Sequence, residues 1–387
     1  MYDMKLYEMK QETSSTPAAV PGQRNRFAPV YQVLSDAITA RAFPGCAFGV
    51  GKGSEVILQD ALGRFTYEED APAVTPGTIF DVASLTKVVS TTAAAMLLYQ
   101  GGQLDLDLPL GDLLPGFVIG RNPGEPAHKI RLRHLLAHNS GLPGYIEFFR
   151  TVADPAALLR ACLQLNLEAE PGTRSEYSDS GFILLGKALE VLTRESLPGW
   201  VEKQVFEPLR LTNSIFCPAP ELQSLIPPTE EDTTFRHRRI QGEVQDENTF
   251  LLNGAAGHAG LFSNVQDLLR FAGEILAAVS TDTSSSEPRL FQRATIEYFA
   301  ERQAPHGSSR ALGWDTPSPN SSAGQYFSQH SIGHLGFSGC SLWIDLDARV
   351  AVVLLTNRTW PDRKSQLIRE VRPAFHNAVR EALSSHK

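Results

Sequence analysis

Apolar residues recur every three or four positions between residues 27 and 43, at Val30, Val33, Leu34, Ala37 and Ile38, and this spacing predicts an amphipathic helix. Residues 45–51 and 55–65 then read as strands, separated by the short turn signal Lys52-Gly53-Ser54. A matching pair of apolar stretches lies near the other end, at 340–344 and 349–356, and residues 361–384 follow as a long amphipathic helix. The middle of the chain is patterned differently. Helical spacing dominates at 88–100, 130–137, 155–165, 181–193 and 265–278, with long loops bearing Pro and Gly between them. The pattern predicts an α+β protein in which the two ends form one antiparallel sheet flanked by helices, with an inserted all-α region. The expected boundaries are 27–83 together with 290–387 for the sheet unit and 84–289 for the helical insert. Residues 1–26 are expected to be a flexible tail, and 280–288 and 317–324 to be polar loops.

Composition narrows the functional classes. Of 387 residues, 42% are hydrophobic and 20% charged, which is enough apolar material for a substantial core. The net charge of −8 repels phosphate backbones, and the one basic cluster, at 236–239, is short, so no nucleic-acid partner is expected. The longest apolar runs, such as 93–99, fall far below the ~18 residues of a membrane span. Residues 1–12 mix charged and apolar side chains without the continuous apolar region of a secretory signal. A cytoplasmic location is therefore expected, or a periplasmic one if a leader is missing from this sequence. Cys46, Cys162, Cys217 and Cys340 are scattered and read as reduced, buried small hydrophobes.

Three short elements carry candidate chemistry. In Ser84-Leu-Thr-Lys87 the serine precedes a helical pattern, and a spacing of three brings the lysine ammonium back over the hydroxyl. A serine hydroxyl is a weak nucleophile until a neighbouring group takes its proton. Tyr177-Ser178-Asp179 lies just before the helix expected near Phe182, where a tyrosine beside a lysine can carry protons. Asp179 in the same place also reads as an ordinary helix cap. His334-Leu335-Gly336 reads as the opening of a strand running through Gly339 to Ile344, with glycines that let a ligand approach the backbone. Other signals are weaker. His134 and His138 lack the glutamate of a zinc-protease motif, and residues 181–187 lack the hydroxyl that a phosphate-binding loop needs next, so neither a metal nor any other cofactor is expected.

In order and context these elements resemble the serine β-lactamase and penicillin-binding-protein superfamily, and within it the class C β-lactamase-like branch, which includes D-alanyl-D-alanine carboxypeptidases and esterases. The resemblance extends over residues 27–360 and includes 78–87, 132–142, 208–213, 246–248, 257–263 and 353–357. It implies a β-lactamase/transpeptidase-like fold and a serine acyl hydrolase. Ser84 would be the acyl-forming nucleophile, Lys87 its proton partner and Tyr177 the general base and acid. The backbone N–H groups of Ser84 and Phe337 would form the oxyanion hole, with Asp179, His334, Gly336 and Phe337 on the substrate. Two positions depart from the pattern: Asp179 stands where many members have Asn, and His334 where β-lactamases usually have Lys. The expected substrate is a small molecule or peptide, a D-Ala-type peptide or carboxylic ester in preference to a β-lactam. A true β-lactamase, and a non-catalytic module that traps acyl groups on Ser84, are the alternatives.

Overall fold

The computed structural model describes residues 22–280 and 288–384, so most of the expected tail and of the 280–288 loop lies outside the described residues. Residues Gln23–Arg26 form a helical turn, and the Gln23 amide donates to Gln59 O and to Asp60 at the edge of the sheet. The sheet has five antiparallel strands: β1 (Gly45–Lys52), β2 (Glu55–Gly63), β3 (Ser331–Leu335), β4 (Ser341–Asp345) and β5 (Val350–Thr356), in the order β2-β1-β5-β4-β3. The two ends of the chain meet between β1 and β5, where Cys46 faces Thr356 and Lys52 faces Val350. Four helices frame the sheet and the cleft: α1 (Ala28–Thr39), α2 (Asp179–Thr193), α3 (Val265–Ala278) and α4 (Ile368–Ser384).

Both faces of the sheet are covered, which explains why its central strands are apolar throughout. Phe48, Val50, Val352 and Leu354 pack with Phe27, Leu34, Phe375 and Val379 of the α1/α4 layer. The alternate residues Ala47, Ala351, Val353 and Leu355 face the other way, into the core that contains Leu268 and Ile275 of α3. Side chains of this size each contribute about 1.5–3 kcal/mol when fully buried. The approach of α3 to β1 is close enough to require a glycine: a Cβ at Gly49 would sit 2.5 Å from Val265 Cγ1 and 2.8 Å from Leu269 Cδ1.

Three local expectations need correction. The strand expected from His334 to Ile344 is two strands, β3 and β4, joined by a turn in which Gly336 N donates to Cys340 O and Gly339 takes a φ of +105°. The helix expected from 361 starts at Ile368, because the preceding loop turns its Arg363 and Ser365 carbonyls towards Arg358 and sends the Arg363 side chain to Glu230 and Glu247. The helix expected over 88–100 begins as a wide π-helical stretch, Lys87–Thr92, and tightens to α only at Ala93–Gln100. Such widened turns are frequent at functional sites.

Candidate active site

Ser84 sits in a single 3-10 turn, Ala83–Leu85, between the short strand Phe80–Asp81 and the π-helical stretch. The turn is strained: Ala83 has φ +47°, in the left-handed region that disfavours a side chain. Its surroundings hold it there. Asp81 Oδ1 accepts from Ala83 N at 2.8 Å and Asp81 Oδ2 from Gln245 N at 2.7 Å, while Val82 N donates to Leu261 O. Burial pushes the Asp81 carboxyl up to about 6, against the pull of those two N–H donors.

Lys87 is wholly buried, and its Nζ has three acceptors: Ser84 Oγ at 3.0 Å, Asp179 Oδ1 at 2.6 Å and the His258 carbonyl at 3.1 Å. An ammonium has three hydrogens, and all are committed. Burial is the largest single influence and would lower this lysine, but Asp179 and Tyr177 together outweigh it and leave the pKa above the usual value. Asp179 is free to do this because it is not the cap of α2. Ser178 is, its Oγ accepting from Gly181 N at 3.1 Å, which places Asp179 in the first turn and turned towards Lys87.

Tyr177 reaches the same point from the other side. Lys87 Nζ lies 4.9 Å from its ring centroid, and both Lys87 and Ser84 act on the phenol to lower a pKa that burial raises more strongly. The loop is clamped by His138, itself at φ +53°: Glu176 N donates to His138 O and Ser178 N to His138 Nδ1, and the imidazole lies 4.5 Å from the Tyr177 ring. His334, on β3, flanks the ring at 5.9 Å. Burial first, and then the charges of Lys87 and Arg310, hold it well below the usual histidine range. His334 is therefore neutral. Its Nδ1 donates to Leu335 O at 2.8 Å, which leaves Nε2 as a bare acceptor, without the positive charge that a lysine in this place would bring.

The turn after β3 closes the site. Gly336 packs so near the nucleophile segment that a Cβ there would lie 2.4 Å from Val82 O, and Ser338 Oγ donates to Asp81 O at 2.7 Å. From below, the buried Arg372 of α4 donates to the Gly336, Gly339 and Cys340 carbonyls. These contacts hold the turn against residues 81–82, so that Phe337 and Ser84 line the same cleft, and the Phe337 N–H donates to no described residue. All seven residues singled out by sequence border or underlie one cleft of about 610 Å³. Sequence reasoning missed several others there: Asp81, Tyr145, Arg310, Arg358 and Arg369. Asp81 lies inside the 78–87 segment, Arg358 directly follows 353–357 and Arg369 falls in the helix expected over 361–384, whereas Tyr145 and Arg310 adjoin no motif. No cluster of three metal-ligating side chains occurs among the described residues.

A family profile described as Beta-lactamase matches residues 30–373. The chain belongs to the beta-lactamase family. It is a serine hydrolase of that family, and its relatives span several reactions. An N-acetylmuramyl-L-alanine amidase of Bacillus subtilis (strain 168) is 30% identical over 82% of this chain and 78% of its own length. A protein of Escherichia coli (strain K12), provisionally named a D-alanyl-D-alanine carboxypeptidase, is 28% identical over 82% of this chain and 79% of its own. Among solved structures, the hydrolase EstCE1, with promiscuous acyltransferase activity, superposes with a TM-score of 0.71 at 23% identity, over 91% of this chain and 99% of that one. An octameric penicillin-binding protein homologue from Pyrococcus abyssi gives 0.70 at 20% identity, over 93% and 77%. The last two likenesses concern the fold. No helix among the described residues is long and apolar enough to cross a membrane.

Proposed function

We propose that this beta-lactamase-family hydrolase cleaves D-alanyl-type peptides and simple carboxylic esters through a Ser84 acyl-enzyme. The observation that carries the reading is the Lys87 ammonium, whose hydrogens go to Ser84 Oγ, Asp179 Oδ1 and His258 O. A lysine so committed donates to the nucleophile and stabilises its developing alkoxide; it does not take the proton. That task falls to the ionised fraction of Tyr177. The phenolate removes the Ser84 proton as Oγ attacks the acyl carbon, and the oxyanion gathers on the N–H groups of Ser84 and Phe337. Tyr177 then passes the proton to the departing oxygen or nitrogen as that bond breaks. Water attacks the acyl-enzyme by the same route in reverse order, giving its proton to Tyr177 while Ser84 leaves.

The arginines behind the turn after β3 support a substrate with an anionic leaving side. Arg358 donates only to the carbonyls of Phe337, Arg363 and Ser365, and Arg372 only to those of the 336–340 turn. Each guanidinium is lowered to about 10, by burial first and, for Arg358, by its neighbours Arg363 and Arg369 as well. A carboxylate there would relieve this crowding, as the C-terminus of a D-alanyl peptide does and a neutral ester does not. The test compares a p-nitrophenyl ester, an N-acyl-D-Ala-D-Ala peptide and a penicillin, with labelling by a fluorophosphonate. Turnover of the first two and loss of turnover and labelling in Ser84→Ala are expected. Persistent labelling of the variant at another serine overturns the assignment.

A further inference from the structure

Tyr177 is faced by charged and titratable groups from five segments. The nucleophile segment brings Lys87 and Ser84, and the start of α2 brings Asp179. His138 lies on one side of the ring and His334 on another. The loop before β3 brings Arg310, whose guanidinium carbon lies 5.3 Å from the ring centroid. These groups do not contribute equally. The Lys87 charge is balanced at 2.6 Å by Asp179. Both histidines are neutral, since burial and the nearby cations hold each well below its usual range. Arg310 is different: its ion-pair partner among the described residues, Asp315, brings Oδ2 no nearer than 3.9 Å, beyond hydrogen-bond distance, while its Oδ1 accepts from Ser309 Oγ at 2.6 Å and from Thr316 N. Arg310 also lines the cleft, with its side chain 23% exposed.

We propose that Arg310 is a positioning residue that acts through Tyr177, supplying the weakly balanced positive charge that favours the phenolate form in which Tyr177 removes the Ser84 proton. The proposal rests on Tyr177 serving as the base. A guanidinium over an aromatic face is attracted by the ring and more strongly by a ring bearing an oxyanion. At 5.3 Å from the ring centroid it stands about as near as the Lys87 ammonium at 4.9 Å, but without a carboxylate at hydrogen-bond distance. Asp315 then sets how much of the Arg310 charge reaches Tyr177.

The test is the pH dependence of kcat/KM on a p-nitrophenyl ester for the parent, Arg310→Gln and Arg310→Lys. In Arg310→Gln the ascending limb should move up by about one pH unit, so activity at neutral pH falls about tenfold and returns at high pH. Arg310→Lys, which keeps the charge, should stay close to the parent limb. A purely structural role lowers activity at every pH without moving the limb, and that result in Arg310→Gln overturns the proposal. So does an equal displacement in both variants. Fluorophosphonate labelling of Ser84 in each variant, read at the high-pH plateau, separates this failure from failure of the nucleophile assignment.

Discussion

Asp179→Asn removes one charge from the centre of the site, and its effect on stability should itself depend on pH. Lys87 is wholly buried, and Asp179 Oδ1 stands 2.6 Å from its ammonium. Stranding one partner of such a pair costs about 3–5 kcal/mol while the survivor stays charged. The survivor can instead lose its proton. From the ordinary lysine value of 10.5 this costs about 4.8 kcal/mol at pH 7, at about 1.36 kcal/mol per unit. The asparagine oxygen still accepts a hydrogen bond, so the expected loss at pH 7 is about 3–4 kcal/mol. At pH 9 deprotonation costs only about 2 kcal/mol, which caps the penalty of stranding the ammonium and makes the loss smaller than at pH 7. In the parent, the folded-state pKa of Lys87 is raised, so its contribution is complete below 10.5 and disappears as pH rises through the folded value. In the variant the Asp179 charge is gone, and burial, the largest single influence on Lys87, brings the folded-state pKa below 10.5. The unfolded chain then binds more protons, and stability climbs with pH between the two values. Urea unfolding of both proteins at pH 7 and pH 9, at one ionic strength, measures the gap. A gap of the same size at both pH values refutes the buried ammonium and with it the proposed division of labour between Lys87 and Tyr177.

Tyr177→Phe should lower kcat on esters by about 10²-fold or more while KM changes little, since the phenol moves protons and its ring still fills the same space; near-normal kcat in steady-state assays would reduce Tyr177 to packing. Gly336→Ala introduces a Cβ 2.4 Å from Val82 O, a backbone atom that cannot swing aside. It should cost about 1–3 kcal/mol in thermal or urea unfolding and separate the Phe337 N–H from Ser84, with turnover falling more than stability alone explains. Parent-like kcat would show that the turn is not part of the oxyanion site.

Four of the five strands of the sheet and the three candidate motifs could be read along the chain, whereas the edge strand β3 could not. The sheet was legible because β1 and β5 are buried on both faces and therefore read as unbroken apolar runs, and α1 and α3 because each buries a single stripe. Ser84 and Lys87 were legible because three residues on one helical turn share a face, a local relation that needs no tertiary contact. What those residues do depended on partners far along the chain. Asp179 read as a cap or a substrate contact, and only the fold, which gives the cap to Ser178, turns it onto Lys87 across 92 residues. His334 read as a histidine in a lysine's place with its charge undecided, and only burial beside Lys87 and Arg310 makes it neutral. The His334–Ile344 strand broke in two because Gly336 must pass close to Val82 and Arg372 must reach the carbonyls of the turn, neither of which is a local preference. Arg310 and Arg358 carry no motif at all. Their significance is positional, and charge acts through distance in space, which the order of residues does not record.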